Sequence, residues 1–418
     1  MQIFLILWLG QFTSLLGSEM TNFAIAIWAW EVTGQATPLA FILAITQVPR
    51  LLVSPFAGIW VDQFNRKHLM LLGDTVAGLS TVVLLVLFQT GHLHIWHLYL
   101  SGAVNGLFGY IQMLAHSASI SFIVPAQHQA RAAALESLQM SGSYVIAPAL
   151  AGTLYATTGL SGILTIDLIT FGIAIATLSP LTLPQPTPET TANPVLQQLT
   201  FGLRYLQRRP GLMALLIFFM FSGLIDSATF TILPAMVLAR SGNDSAFWGM
   251  LLAFFGTGGL LGSITLSLWG GPKRHIHGVL IASAVWKAGL IVLALAQRNS
   301  VKIGTALVSG FCSPFPISCN QAIWRTQVEP AVQGRVFATR FLLTQLATPL
   351  GAAIAGPLAD HVFEPAMQPG EPLARLLGGL LSPGVGAGMA LQIALFSLFG
   401  IAITLVGYRV GPLRAVET

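Results

Sequence analysis

Apolar runs of about 20 residues recur along the whole chain, each long enough to cross a hydrocarbon core of about 30 Å. Within a bilayer such runs must satisfy their own backbone N–H and C=O groups, which selects membrane-spanning helices. Composition agrees, since 54% of the 418 residues are hydrophobic and only 8% are charged, where a soluble domain carries roughly a quarter charged. The chain reads as an all-α, polytopic integral membrane protein. Its net charge of +5 does not point to nucleic acid, because the basic residues are scattered in short inter-helix loops and act as topology signals. Cys312 and Cys319 fall in one apolar span, too far apart along a helix to bridge. No basic segment precedes Ile3, and the first apolar run is too long for a cleaved signal, so it is expected to be the first membrane helix.

Twelve spans are predicted, at about 3–30, 37–61, 69–90, 95–122, 131–157, 160–180, 211–239, 246–269, 276–297, 301–325, 336–359 and 385–408. They divide the chain into an N-terminal six-helix bundle (1–180), a cytoplasmic linker (181–210) and a C-terminal six-helix bundle (211–418). Pro184 to Pro194 is rich in proline and threonine, as a flexible linker is. From Val195 to Arg209, Leu196, Leu199, Leu203 and Leu206 oppose Arg204, Arg208 and Arg209, which predicts an amphipathic helix on the cytoplasmic membrane surface. The stretch of about 361–384, with Glu364, Glu371, proline and glycine, predicts an exposed external loop. Trp28 and Trp30 are expected in the interfacial aromatic belt.

Orientation follows from the basic residues. Arg66, Lys67, Arg131, Arg204, Arg208, Arg209, Lys273, Arg274, Arg325, Arg335, Arg340, Arg409 and Arg414 fall on one side; Arg240, Arg298, Lys302 and Arg375 fall on the other. The positive-inside rule then puts both termini in the cytoplasm. The halves also repeat one another: Gly58 corresponds to Gly262, and the stretch Val124 to Arg131 to Val328 to Arg335, both at an offset of 204.

Between the second and third spans lies Gly58-Ile59-Trp60-Val61-Asp62-Gln63-Phe64-Asn65-Arg66-Lys67, a short water-exposed turn. Gly58 is expected to permit close helix approach. Asp62 can accept hydrogen bonds from a helix N-terminus or a cation, and Arg66 and Lys67 hold the turn on the cytoplasmic side. This spacing resembles the G-x-x-x-D-R/K-x-G-R-R/K signature of the major facilitator superfamily. Gln63 stands where a basic residue is usual and Asn65 where glycine is usual, and asparagine tolerates the left-handed region that glycine would occupy. Further stretches are similar to the macrolide-efflux and enterobactin-exporter-like branch of bacterial drug:proton antiporters: Leu9 to Phe12, Pro49 to Gly58, Gly202 to Pro210, and Gly334 to Phe337. The fifth-helix antiporter motif survives only as Pro148 and Gly152 among alanines, which keeps the small residues that tight helix packing needs.

The resemblance implies two pseudo-symmetric bundles with substrate bound between them near the midplane. It also implies a gating role at the cytoplasmic face for Gly58, Asp62, Arg66, Lys67 and the repeated Arg131 and Arg335, with Asp62 and Arg66 as a latch. Ionisable groups inside a membrane are functional candidates. Glu19 lies midway along the first span and Asp226 midway along the seventh, counterpart helices that line the cavity in this family. Desolvation makes their charged forms costly, which suits reversible protonation or binding of a cationic substrate; the alternative is a fixed ion pair, for which Arg50 is the obvious partner. Arg50 itself lies too deep to reach water easily and requires an internal carboxylate or backbone carbonyls, either as a structural pair or as a substrate or gating contact. Asp167 and Lys287 fall on helices expected to be peripheral and structural.

The fourth span places Ser101, Asn105, Gln112 and His116 at offsets of 4, 11 and 15, one helix face. The tenth places Ser309, Ser313 and Asn320 likewise, with Gln321 and Trp324 beside them. Such a stripe faces protein or water, either lining a cavity or making interhelical hydrogen bonds. His92, His94 and His97 cluster without an acidic or cysteine partner, so no metal is expected there. No H-E-x-x-H, G-x-S-x-G or G-x-x-x-x-G-K-[ST] motif occurs, so an enzyme is not expected, and either energy comes from an ion gradient, with no other cofactor, or transport is downhill. The expectation is a monomeric, proton-coupled exporter of amphipathic or hydrophobic small molecules in the bacterial cytoplasmic membrane, with the lipid bilayer as its setting and no nucleic-acid partner. Uptake or lysolipid transport on the same fold, or a non-transporting membrane sensor, are the alternatives.

Overall fold

The computed structural model describes residues 2–125, 128–182, 195–329, 332–382 and 384–417. The expected Pro184–Pro194 linker lies outside the described residues. Every regular element among them is helical: α1 (Gln2–Thr33), α2 (Ala36–Gln63), α3 (Arg66–Gln89), α4 (Ile95–Ile123), α5 (Gln129–Leu178), α6 (Val195–Gln207), α7 (Pro210–Ser241), α8 (Ser245–Trp269) and α9 (His275–Leu295). They continue with α10 (Asn299–Cys312), α11 (Pro314–Gln327), α12 (Gln333–Gln345), α13 (Ala347–Leu358), a π-helical turn (Ala359–Phe363), α14 (Glu364–Ala366), α15 (Pro372–Leu381), α16 (Ala387–Arg409) and α17 (Gly411–Arg414).

The predicted spans and the helices coincide in place but not one for one. Among the described residues nine helices are long and apolar enough to cross a membrane; α4, which carries the polar stripe, is not one of them. The 50 residues of α5 would reach about 75 Å as one rod. The helix is instead broken at Gly159, whose φ of +63° is a conformation glycine adopts without steric cost, and the fifth and sixth predicted spans meet there. The tenth span is divided between α10 and α11 because Pro314 has no N–H for the carbonyl of Gly310; the Ser313 N–H takes that carbonyl instead, at 3.0 Å. The eleventh is divided between α12 and α13, where Pro349 leaves the carbonyl of Gln345 without its partner four residues on.

The chain forms two compact units. Unit 1 comprises Met1–Thr33, Ile42–Ala192 and Ser245–Gly249; unit 2 comprises Gly34–Phe41, Asn193–Asp244 and Met250–Thr418. In unit 1, α1 lies along the second half of α5, with Gly10 against Thr177 and Gly17 against Thr170, contacts too close for any added side chain. Gly152 of α5 receives the start of α8: a Cβ there would lie 2.7 Å from the carbonyl oxygen of Ser245, while Pro148 abuts Gly249. The small-residue motif therefore packs a helix closely. Gly58 does not, since a Cβ added to it would meet nothing within 4 Å. Its counterpart Gly262 is the one pressed against a neighbour, the Phe311 carbonyl. Trp28 and Trp30, expected at the membrane interface, are 9% and 5% exposed; the Trp28 ring meets Phe88 of α3 edge-on.

In unit 2, Leu212, Leu215 and Phe218 of α7, Ile276 and Leu280 of α9, and Ile323 and Trp324 of α11 form one hydrophobic cluster. The amphipathic α6 is not simply laid on lipid. Its Leu206 is fully buried in that cluster, Gly202 packs on Thr339 of α12, and Arg335 stacks over the Phe201 ring at 5.3 Å. The stretch expected to be an exposed external loop is largely exposed but folds into α14 and α15, and its Glu364 accepts the N–H groups of Gly386 (3.2 Å) and Met389 (2.8 Å) at the start of α16. Two further carboxylates cap helices in this way. Asp360 receives Ala36 and Thr37 of α2 at 2.9 and 2.7 Å, and Glu417 receives His275 and Ile276 of α9 at 3.0 Å each.

Candidate functional site

In unit 2 the ionisable pair is Asp226 of α7 with Lys287 of α9. The Lys287 ammonium stands 3.0 Å from Oδ1 of Asp226 and donates to Oδ2 at 3.2 Å and to Ser222 Oγ at 2.8 Å. Ser222 in turn donates to Oδ2 at 3.2 Å. Lys287 is 1% exposed whereas the Asp226 side chain is 36% exposed, although its Oδ1 is buried, so the pair is closed at its cationic end and partly exposed at its anionic end. Gly400 of α16 makes room for the lysine stem, which a side chain there would overlap. Lys287, expected to be peripheral, is thus the partner of the candidate acid. Beside it, Phe230 lies one turn beyond Asp226, with Phe255 and Trp286 at ring separations of 6.2 and 6.4 Å from it.

The polar residues of the tenth span belong to packing in this structure. Trp324 is 1% and Asn320 5% exposed, and the Trp324 indole donates to Asn320 Oδ1 at 2.9 Å. Arg340 lies over the Trp324 ring at 5.0 Å and donates to Gln321 Oε1 at 3.0 Å. Ser313 closes the break between α10 and α11. The sequence left these residues either to a cavity lining or to hydrogen bonds between helices; the ring of Trp324 fills the unit 2 core, held by its hydrogen bond and by the guanidinium.

In unit 1, Glu19 of α1 is half-buried and hydrogen-bonds Asn22; it and Arg50 of α2 both act electrostatically on Tyr144 of α5. Arg50 finds no carboxylate among its described hydrogen-bond partners. Its guanidinium lies 5.2 Å over the Tyr110 ring and contacts Met113 Sδ at 3.8 Å, both on α4. A π face and a soft sulfur do for it what a carboxylate or a backbone carbonyl was expected to do. On α4, Ser101 bridges Ser80 of α3 at 2.7 Å and accepts from Asn105 at 3.4 Å. His116 keeps a buried Nε2 without a hydrogen bond.

Gln112 leads to a residue the sequence reading passed over. Asp74 of α3 is fully buried. It accepts from Gln112 Nε2 at 2.6 Å on Oδ1 and from Gln11 Nε2 of α1 at 3.1 Å on Oδ2, while Gln112 also donates to Gln11 Oε1 at 3.2 Å. Gly73, next to Asp74, gives Gln112 the space to reach in. Two turns along α3, Thr81 donates to the 1%-exposed Asp167 of α5 at 3.0 Å. Among the described residues neither carboxylate has a salt bridge. The signal was legible: Asp74 is an isolated charge inside the third apolar span, subject to the same argument as Glu19 and Asp226.

At the turn between α2 and α3, Arg66 is 4% exposed and donates to the Ala118 carbonyl at 3.0 Å, and Lys67 donates to the Ser179 carbonyl at 2.6 Å. Both bind ends of unit 1 helices. The side chain of Asp62 lies outside the described residues, and Arg131 is exposed. Asn65 does not take the left-handed conformation: with φ −62° and ψ 114° it is the N-cap of α3, its side chain accepting the His68 N–H. Asparagine replaces glycine here as a helix cap. His94 and His97 play the same part for α4, the His94 N–H donating to His97 Nδ1 at 3.0 Å.

Helices of spanning length with ionisable side chains held inside them define a multi-pass membrane protein. The chain belongs to the Major Facilitator Superfamily, whose family model matches residues 7–352. It is 24% identical over 368 residues to macrolide efflux protein A of Streptococcus pyogenes, covering 86% of this chain and 90% of that one. It is 25% identical over 376 residues to the multidrug efflux pump Tap of Mycobacterium tuberculosis (strain CDC 1551 / Oshkosh), covering 84% and 86%. Among solved structures, a bacterial homolog of the human lysosomal transporter Spinster, inward-facing and unoccupied, matches with a TM-score of 0.71 at 13% identity, covering 100% of this chain and 96% of that one. The nucleoside transporter NupG matches with a TM-score of 0.71 at 12% identity, over 98% and 99%. At such identities the structural matches speak for the fold alone.

Proposed function

We propose that this protein exports small amphipathic, hydrophobic or cationic molecules, macrolides among them, from the bacterial cytoplasm in exchange for protons. Export is carried by one observation: the sequence match to macrolide- and multidrug-efflux proteins over nearly their whole length. In this reading the protein is a monomer in the cytoplasmic membrane with both termini inside, and it works by alternating access. The aromatic group of Phe230, Phe255 and Trp286 offers an apolar, polarisable surface to the substrate. Asp226, one turn away and partly exposed, offers a charge.

Coupling follows from electrostatics. A proton entering from outside onto Asp226 or Glu19 cancels a carboxylate charge and favours the return to the inward-open form. Substrate binding from the cytoplasm then displaces that proton. At Asp226 the same event releases Lys287 from its anionic partner and leaves Ser222 to hold the ammonium. The test is flux of radiolabelled erythromycin and of a cationic dye in proteoliposomes under an imposed pH gradient. Glu19→Gln and Asp226→Asn are each expected to lower gradient-driven flux by about tenfold. Full gradient-driven transport in both variants would overturn the proton sites, and no flux of either compound in the parent protein would overturn export.

A further inference from the structure

We propose that Asp74, held between Gln11 and Gln112, is a proton-binding site of the transport cycle, and that its protonation breaks the hydrogen bond between α1 and α4. The inference rests on the proton-coupled reading above and adds to it a site in unit 1, whereas the Asp226–Lys287 pair belongs to unit 2.

The argument begins with charge. Asp226 has an ammonium at 3.0 Å. Asp74, fully buried, has two neutral amides. A buried carboxylate without a cation has two ways to be stable: as an anion collecting hydrogen bonds, or as a neutral acid. The carboxylates, histidines and basic groups on the elements around it are Glu19 and Glu31 of α1, His97 and His116 of α4, Arg131, Glu136 and Asp167 of α5, and Arg66, Lys67 and His68 at the start of α3 itself. None is among its described hydrogen-bond partners; Arg66 is turned to the Ala118 carbonyl and Asp167 to Thr81.

The three side chains can serve both states. In the charged state Gln11 and Gln112 each donate to one oxygen of Asp74, and Gln112 donates to Gln11 Oε1, closing a ring over α1, α3 and α4. A proton arriving from water forms an O–H bond at Oδ1, and this new donor needs an acceptor. The terminal torsion of glutamine is broad and two-fold, so Gln112 can turn its Oε1 to the place its Nε2 held. The separation of 2.6 Å there is ordinary for O–H···O and short for N–H···O. Gln11 keeps its bond to Oδ2. Gln112 Oε1 now faces Gln11 Oε1, two acceptors where a donor met an acceptor at 3.2 Å, and that contact is lost. When the proton leaves to water the O–H bond breaks and the ring re-forms. Occupancy by one proton is thereby read out as the presence or absence of a tie between two helices.

Infrared difference spectra of the reconstituted full-length protein, recorded across a pH titration, test this without a known substrate. Each buried acid that titrates gives its own protonated-carboxyl C=O band; one of these is expected in the parent protein, in Glu19→Gln and in Asp226→Asn, and to be missing in Asp74→Asn. Gln112→Leu keeps the acid but removes its partner, so that same band is expected to persist with a changed frequency and midpoint; this variant decides the matter if Asp74→Asn does not fold. Titrating bands that are all unchanged in Asp74→Asn, or all unmoved in Gln112→Leu, overturn the proposal. In liposomes, Asp74→Asn is expected to lose about tenfold in gradient-driven erythromycin flux and to keep gradient-free counterflow within about twofold. If the parent protein's flux ignores the pH gradient, proton coupling fails as a reading while the infrared band still judges Asp74.

Discussion

A buried lysine is the residue with most to lose from a change of neighbour. Lys287 is 1% exposed, and its ammonium is met by Asp226 and Ser222 alone among its described partners. Asp226→Leu would leave that charge unpaired in a low-dielectric interior, a loss of about 3–5 kcal/mol. Replacing both partners, as Asp226→Leu with Lys287→Met, removes the charge together with its counter-charge and is expected to recover most of that stability. Thermal unfolding of the three proteins in detergent checks this, and a double variant no more stable than Asp226→Leu would mean the pair is not what holds the lysine. Asp226 could be singled out from the sequence because a lone carboxylate in an apolar run needs an explanation. Its partner could not be, because pairing depends on which helices touch and α9 is no neighbour of α7 in the chain. Asp74 shows the converse: the charge was visible, and its worth appeared only when Gln11 and Gln112 were seen to converge on it from two other helices.

Among the elements, the ends of helices decide more than their lengths. The predicted spans lie within a few residues of α1 to α4 and α7 to α9, because continuous apolar runs and their polar flanks mark helix limits directly. Breaks inside a run were less legible, since Pro314 and Pro349 interrupt hydrogen bonding without interrupting hydrophobicity. Caps supplied from a distance were not legible at all. Glu417 reaches the first two N–H groups of α9 from 142 and 141 residues away, and Asp360 reaches α2 from more than 300. Each places a negative charge on the positive end of a helix and satisfies donors that otherwise have no partner. Glu417→Ala is therefore expected to cost about 1 kcal/mol. Cys319 provides the measurement, because at 2% exposure it reacts with a thiol dye only as unit 2 opens. An unchanged melting curve for Glu417→Ala would show that the C-terminal tail does not support α9.

For the whole molecule, orientation is expected to be fixed by few residues. The predicted spans put thirteen Lys and Arg on the side of Arg66 and four on the other, an asymmetry that by the positive-inside rule would set topology through the short loops that carry it. The structure anchors that side within unit 1: Arg66 is bonded to Ala118 near the end of α4, and Lys67 to Ser179 just past the end of α5. From there α3 runs 24 residues, about 36 Å, enough to span the hydrocarbon, so Asn65 and His92 must lie on opposite faces. In a background with Cys312 and Cys319 replaced by serine, Asn65→Cys is expected to resist a membrane-impermeant maleimide in intact cells and to react in inside-out vesicles. His92→Cys is expected to do the reverse. Labelling in the opposite sense would put Arg66 and Lys67 outside, against the charge asymmetry. Export does not hang on that outcome, because an antiporter that lets protons in sends substrate out whichever face it presents, so the labelling judges topology alone.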